Sequence, residues 1–127
     1  MHSGDPGLPE CAMVPESCRL IREAFGVAGR GLLQTAKFSV MWDSLHVAMH
    51  CGTDTGKLRI LIPLHLPPGG KYSMNVGGER VPPAVEGSAL VFDDSLEHEV
   101  WVGAPPAKTS IPRIVLLIDV THPDLLE

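Results

Sequence analysis

Leu90-Val91-Phe92-Asp93-Asp94-Ser95-Leu96-Glu97-His98-Glu99-Val100-Trp101 is a pair of short apolar runs divided by an Asp-Asp-Ser turn. Asp and Ser side chains bond nearby backbone N–H groups and so punctuate strands. The stretch therefore reads as strand, turn, strand, and the same texture continues on either side. Further strands are expected over 34–41, 45–50, 57–66, 72–76 and 113–120, beside 89–93 and 98–102. Gly- and Pro-rich breaks at 52–56, 67–70, 77–78, 82–83 and 105–106 separate them. Short strands with frequent turns predict an all-β sandwich or jelly roll. One segment has helical texture instead: Pro15-Glu16-Ser17 opens it, Leu20, Ile21, Ala24 and Phe25 form an apolar stripe, and Gly26 ends it. Residues 1–30 are thus expected to form an N-terminal extension with one helix, and 31–127 the β domain.

A chain of 127 residues makes one small domain. Its formal net charge of −5 argues against a nucleic-acid partner, since phosphate binding needs a basic face. No apolar run is long enough to span a bilayer; 114–120 is strand length and is interrupted by Asp119. The first ten residues show no secretory signal. Of three cysteines at least one is unpaired. Cys11 and Cys18 either bridge, in an oxidising compartment, or are two reduced thiols at a helix start. Cys51 is expected to be a core thiol.

The chemistry-bearing residues are His50, His98 and Arg113. An early His, a late His and an Arg shortly after it is the order found in non-haem iron oxygenases that consume 2-oxoglutarate. Iron(II) is six-coordinate; the co-substrate takes two positions and oxygen a third, which leaves three for protein, commonly two His and one carboxylate. Strand alternation usually places that carboxylate two residues after the first His. Here that place is Gly52, and Asp54 is expected to sit in the following turn. Arg113 heads an apolar strand, where a buried, unpaired guanidinium would be costly. An anionic ligand removes that cost, because the planar fork can grip both oxygens of a carboxylate.

Residues 92–101 read FDDS-x-EHEVW, and 113–125 read R-x-V-x-x-x-D-V-x-HP-x-L. Both runs, with Lys37-Phe38-Ser39-Val40-Met41 upstream, resemble the aspartyl/asparaginyl β-hydroxylase family over roughly 34–125. The resemblance implies a double-stranded β-helix (jelly-roll, cupin-like) with a short N-terminal helix. It also implies an Fe(II)- and 2-oxoglutarate-dependent dioxygenase that hydroxylates a C–H bond, foremost the β-carbon of Asp or Asn in a peptide or protein. This family carries His-x-Gly, with water in the third position, so Gly52 fits it. His50 and His98 would be the catalytic metal ligands. Arg113 and Arg59 would bind the co-substrate, with Ser39 offering its hydroxyl and Met41 lining the pocket. O2 and a substrate with an Asp- or Asn-like group are the implied partners, whether peptide, protein or small molecule. Relatives with a comparable cysteine pair favour a Cys11–Cys18 disulfide.

Three departures stand out. Leu61 occupies a place where the family usually has His, Pro82-Pro83-Ala84 replace a Trp-bearing stretch, and Thr121 replaces Trp. Leu61 and the missing carboxylate give the alternative reading, a non-catalytic jelly-roll module of the same family that binds metal or ligand. The remaining residues are read conservatively. His46 is expected on the same face as His50 in a supporting or core role, and His65 as structural. His122 is assigned to the closing turn and His2 to no site. Asp93 and Asp94 are both assigned to the turn, and Glu97 and Glu99 to the face opposite His98.

Overall fold

The computed structural model describes residues 9–25, 32–42, 44–52, 56–103, 112–122 and 124. Two helices, α1 (Pro9–Met13) and α2 (Pro15–Phe25), precede eight strands. These are β1 (Leu33–Met41), β2 (Leu45–His50), β3 (Lys57–His65), β4 (Lys71–Val76), β5 (Glu79–Arg80), β6 (Leu90–Asp93), β7 (His98–Gly103) and β8 (Arg113–Thr121). They form two antiparallel four-stranded sheets, ordered β1-β8-β3-β6 and β2-β7-β4-β5. Among the described residues the fold is therefore all-β apart from the two N-terminal helices. No helix among the described residues is long and apolar enough to cross a membrane.

The strands lie within one residue or two of the expected positions. α1 and β5 were not expected: five and two residues are too few to show a period. β5 exists because Gly77 and Gly78, at φ 58° and 84°, turn the chain back on β4 through a tight two-residue hairpin. A bridge between Cys11 and Cys18, Cα atoms 5.7 Å apart, joins the two helices. Cys51 is exposed and free, against the expectation of a core thiol. It stands just past the end of edge strand β2, where no strand of the described residues covers it.

Register sorts the first sheet's side chains by face, because residues directly opposite each other in an antiparallel pair point the same way. Ala36, Ile118 and Ile60 form one row, and Phe38, Leu116 and Ile62 the next. This face is apolar. Ile21 of α2 closes over Ala36, Ile118 and Val120, with Leu33, Leu58, Ile60 and Leu116 packed around them. The other face carries Arg113, Val115, Leu117 and Asp119 on β8, Ser39 and Met41 on β1, and Arg59 and Leu61 on β3. It looks towards the second sheet, where Tyr72 of β4 touches Arg113 across the gap.

Candidate metal and co-substrate site

β2 and β7 bring the two histidines together. His50 and His98 stand opposite each other, ring centroids 4.2 Å apart at 62°. Each Nδ1 lies 2.8 Å from the carbonyl oxygen two residues upstream, Ala48 O for His50 and Leu96 O for His98. A carbonyl can only accept, so each Nδ1 carries a proton, and in the neutral ring that tautomer puts the lone pair on Nε2. His98 is 3% exposed, and its buried Nε2 makes no hydrogen bond. An orphaned imidazole nitrogen facing a second released imidazole is a donor set that fits a divalent metal. Among the described residues, no group of three or more His, Cys, Asp or Glu side chains is gathered tightly enough to hold a metal by itself. Asp54 lies outside the described residues.

His46 is not on the side of His50. A register shift between Val47 and His50 adds a residue, so His46 faces Trp101 while His50 faces His98. His46 stacks on Trp101 at 5.1 Å and bonds Glu99 at 2.6 Å, on the outside of the second sheet. Glu99 therefore points away from His98, as expected. His65 bonds Pro112 O, and His122 accepts from Asp124 N, both structural roles.

Asp93 and Asp94 do different things. Asp93 makes the expected turn, accepting from Ser95 N at 2.9 Å and Ser95 Oγ at 2.7 Å. Those two bonds hold its carboxyl below the usual range. Asp94, expected in the same role, is instead buried beside the histidines, its Oδ1 3.6 Å from His98 Nε2. Gly52 N donates to Asp94 O at 2.8 Å, and a Cβ at position 52 would run into the Asp94 carboxylate. The space that a side chain at 52 would need is already filled by a carboxylate from another strand end. No sequence signal separates Asp94 from Asp93; only the i,i+4 spacing to His98 hints at it.

Lys57 and Arg59 surround these groups. Arg59 grips Asp119 with Nε at 2.9 Å and Nη2 at 3.1 Å, and its Nη1 reaches 3.8 Å from Asp94 Oδ1. Lys57 Nζ lies 3.5 Å from both Asp94 and Asp119. Burial pushes the Asp119 carboxyl up, but Arg59, Lys57 and Thr35 outweigh it and hold the group below the usual range. The hydrogen bond to Asp119 raises Arg59 in turn.

Arg113 has no carboxylate partner among the described residues. It is 8% exposed, its Nε makes no hydrogen bond, and its Nη1 lies 3.6 Å from Met41 Sδ. Its Cζ stands 4.2 Å from the centroid of the Tyr72 ring. Burial pulls its pKa down, and Tyr72 only partly restores it. A cavity of about 210 Å³ opens beside it, lined by Leu61, Pro63, Tyr72, Leu90 and Val115 as well as Arg113. Ser39 stands opposite Val115 on the same face, next to Met41. Thus Met41, Ser39 and Arg113 adjoin one another, while Arg59 belongs to the Asp119 group. Lys37 is on the same β1 face as Ser39, is exposed, and has no carboxylate partner among the described residues. It was not singled out from the sequence, where it reads as a surface strand residue.

Residues 2–123 match the family model described as aspartyl/asparaginyl β-hydroxylase. The aspartyl/asparaginyl β-hydroxylases of Mus musculus and Homo sapiens are each 34% identical over 117 residues, which is 91% of this chain and 14% of theirs. The ornithine lipid ester-linked acyl 2-hydroxylase of Rhizobium tropici is 37% identical over 92 residues, 72% of this chain and 31% of that protein. The chain thus spans less than a third of the length of these relatives.

Proposed function

Because the chain belongs to the aspartyl/asparaginyl β-hydroxylase family, we propose that it is an Fe(II)- and 2-oxoglutarate-dependent hydroxylase built on a jelly roll. The observation that carries this reading is the pairing of two adjacent imidazoles with a buried guanidinium whose Nε makes no hydrogen bond, on the same interior. His50 and His98 would hold the metal through Nε2, kept in that tautomer by Ala48 O and Leu96 O. When bound, iron with 2-oxoglutarate and O2 supplies the oxidising power for C–H hydroxylation, and the co-substrate leaves as succinate and carbon dioxide.

The chain's own residues bind and orient. Arg113 would take the distal carboxylate of 2-oxoglutarate, with Ser39 as a second donor and Met41 as an apolar wall. Arg59, fixed by Asp119, would contribute its Nη1 edge and its charge. Asp94, near His98, would orient water beside the histidine pair in place of a carboxylate at position 52. The strands facing this interior carry Lys37, Lys57, Arg59 and Arg113 against Asp94 and Asp119, an excess of cations in a chain whose net charge is −5. That inversion supports an acidic co-substrate and an acidic substrate group. We read Asp or Asn side chains in a peptide as the target. The Rhizobium relative, an acyl hydroxylase by name, keeps acyl substrates in view.

The test is incubation with iron(II), 2-oxoglutarate, O2 and Asp- or Asn-bearing peptides. A mass gain of one oxygen atom in the peptide, matched by succinate and absent in His98→Ala, is expected. Folded, iron-loaded protein that forms no succinate with any peptide would favour the second reading, a binding module without turnover. The apolar Leu61 wall of the cavity is what favours that reading.

A further inference from the structure

We infer that Tyr72 is the positioning residue that makes Arg113 a selective clamp for a 2-oxo acid with a distal carboxylate. This rests on the proposed co-substrate role of Arg113 and deepens it. Arg113 comes from the first sheet and Tyr72 from the second, so their contact spans the interior. Among the described residues the guanidinium rests against Tyr72, whose ring lies 4.2 Å away and whose phenol also favours the charge, and against Met41 Sδ at 3.6 Å. Neither neutralises its charge or satisfies its Nε. A π face attracts a cation without competing for its in-plane donors. With one face covered by the ring, the free donor edge is what remains for a carboxylate, and the cavity supplies the room.

The rest of that cavity is apolar. Leu61, Pro63, Leu90 and Val115 offer no side-chain donor, so they suit the methylene stem of the ligand. Tyr72, Ser88 and Arg113 are the lining residues of the chamber that carry side-chain donors. The present bond of the Tyr72 hydroxyl, to Met74 Sδ at 3.4 Å, is a weak one that a carboxylate would readily replace. Burial raises the phenol's pKa, so at neutral pH the group is a donor. Tyr72 thus does two things: its ring aims the guanidinium, and its hydroxyl adds a donor at the same end. The ligand class that matches is a short 2-oxo dicarboxylate. A 2-oxo monocarboxylate of similar stem would chelate the metal but leave Arg113 unpaired.

Anaerobic titration of the iron(II)-loaded protein, followed by the visible charge-transfer band, gives a dissociation constant for 2-oxoglutarate and for 2-oxobutyrate. The wild type is expected to favour 2-oxoglutarate. Tyr72→Leu should weaken 2-oxoglutarate roughly tenfold while leaving 2-oxobutyrate unchanged, a loss of the size a desolvated cation–π contact and a hydrogen bond supply. Tyr72→Phe keeps the ring and should recover most of that loss. If Tyr72→Leu binds 2-oxoglutarate as tightly as wild type, or weakens both acids equally, the role given to Tyr72 is overturned. If the wild type itself does not distinguish the two acids, the clamp role of Arg113 fails and the inference with it.

Discussion

The two faces of the β1-β8-β3-β6 sheet are made from alternating residues of the same strands, yet they serve opposite ends. Ile114, Leu116, Ile118 and Val120 point outward, where Ile21 of α2 buries part of the row. Arg113, Asp119 and, from β3, Arg59 point inward between the sheets. Apolar burial stabilises without direction, so the outer face needs only volume and shape. Buried charge is costly unless paired, so every ion on the inner face must have a partner or a ligand. Asp94, Asp119, Lys57 and Arg59 satisfy one another; Arg113 Nε and, on the facing sheet, His98 Nε2 make no hydrogen bond among the described residues. The absence of hydrogen bonds at these two buried nitrogens is what supports the proposed reading of this interior as a binding site.

The largest effect is expected on the outer face. Ile118→Ala removes a side chain that is 2% exposed at the centre of the α2-covered cluster. A loss of about 2–5 kcal/mol is expected in chemical denaturation. Iron stoichiometry in the folded fraction should be unchanged, because the histidines belong to the other sheet. On the inner side, Gly52→Ala places a Cβ against the Asp94 carboxylate and displaces it. Iron affinity measured by competition with a chelator should fall about 10- to 100-fold, with smaller change in stability. Gly52→Asp should do no better, since the space for a carboxylate at position 52 is taken by Asp94.

Acid sensitivity belongs to the inner face as well. The folded-state pKa of Asp119 lies below its unfolded value, so the stability it contributes is fully present above the ordinary carboxylate range, near pH 4. That contribution is lost as pH falls through the lower folded value. Denaturation measured from pH 7 down to pH 3 should therefore show an acid limb that Asp119→Asn flattens. The same variant should be less stable at pH 7, with Arg59 left without its anion. The smallest effect is expected at the uncovered end of the outer face. Val40 is 51% exposed there, and Val40→Thr should change stability by no more than about 0.5 kcal/mol. A large loss would mean that something else packs on this end.

Much of this was legible in the residues themselves. The turn-divided runs from 34 to 120 place seven of the eight strands, because period-two alternation and Gly/Pro breaks are local properties. His50, His98 and Arg113 stand out through a motif with long-range spacing. What stayed hidden depends on pairing. The register shift in β2 sends His46 outward, and nothing local in Leu45-His46-Val47-Ala48-Met49-His50 announces it. Asp94 looks like its neighbour Asp93 until the chain brings Gly52 against it. Arg59 reads as a co-substrate ligand, yet its partner Asp119 is 60 residues away and visible only through the β3–β8 pairing. Cys51 reads as core because the alternation is sound, but it follows an edge strand with no strand of the described residues to bury it.

The most direct measurement is anaerobic addition of iron(II) and then 2-oxoglutarate to wild type, His98→Ala and Arg113→Ala, each shown to be folded. A visible charge-transfer band is expected in wild type, absent in His98→Ala and weakened in Arg113→Ala with iron still bound. A band that persists without His98, or folded wild type that takes up iron and shows no band, would contradict the assignment of this interior as a metal and 2-oxoglutarate site.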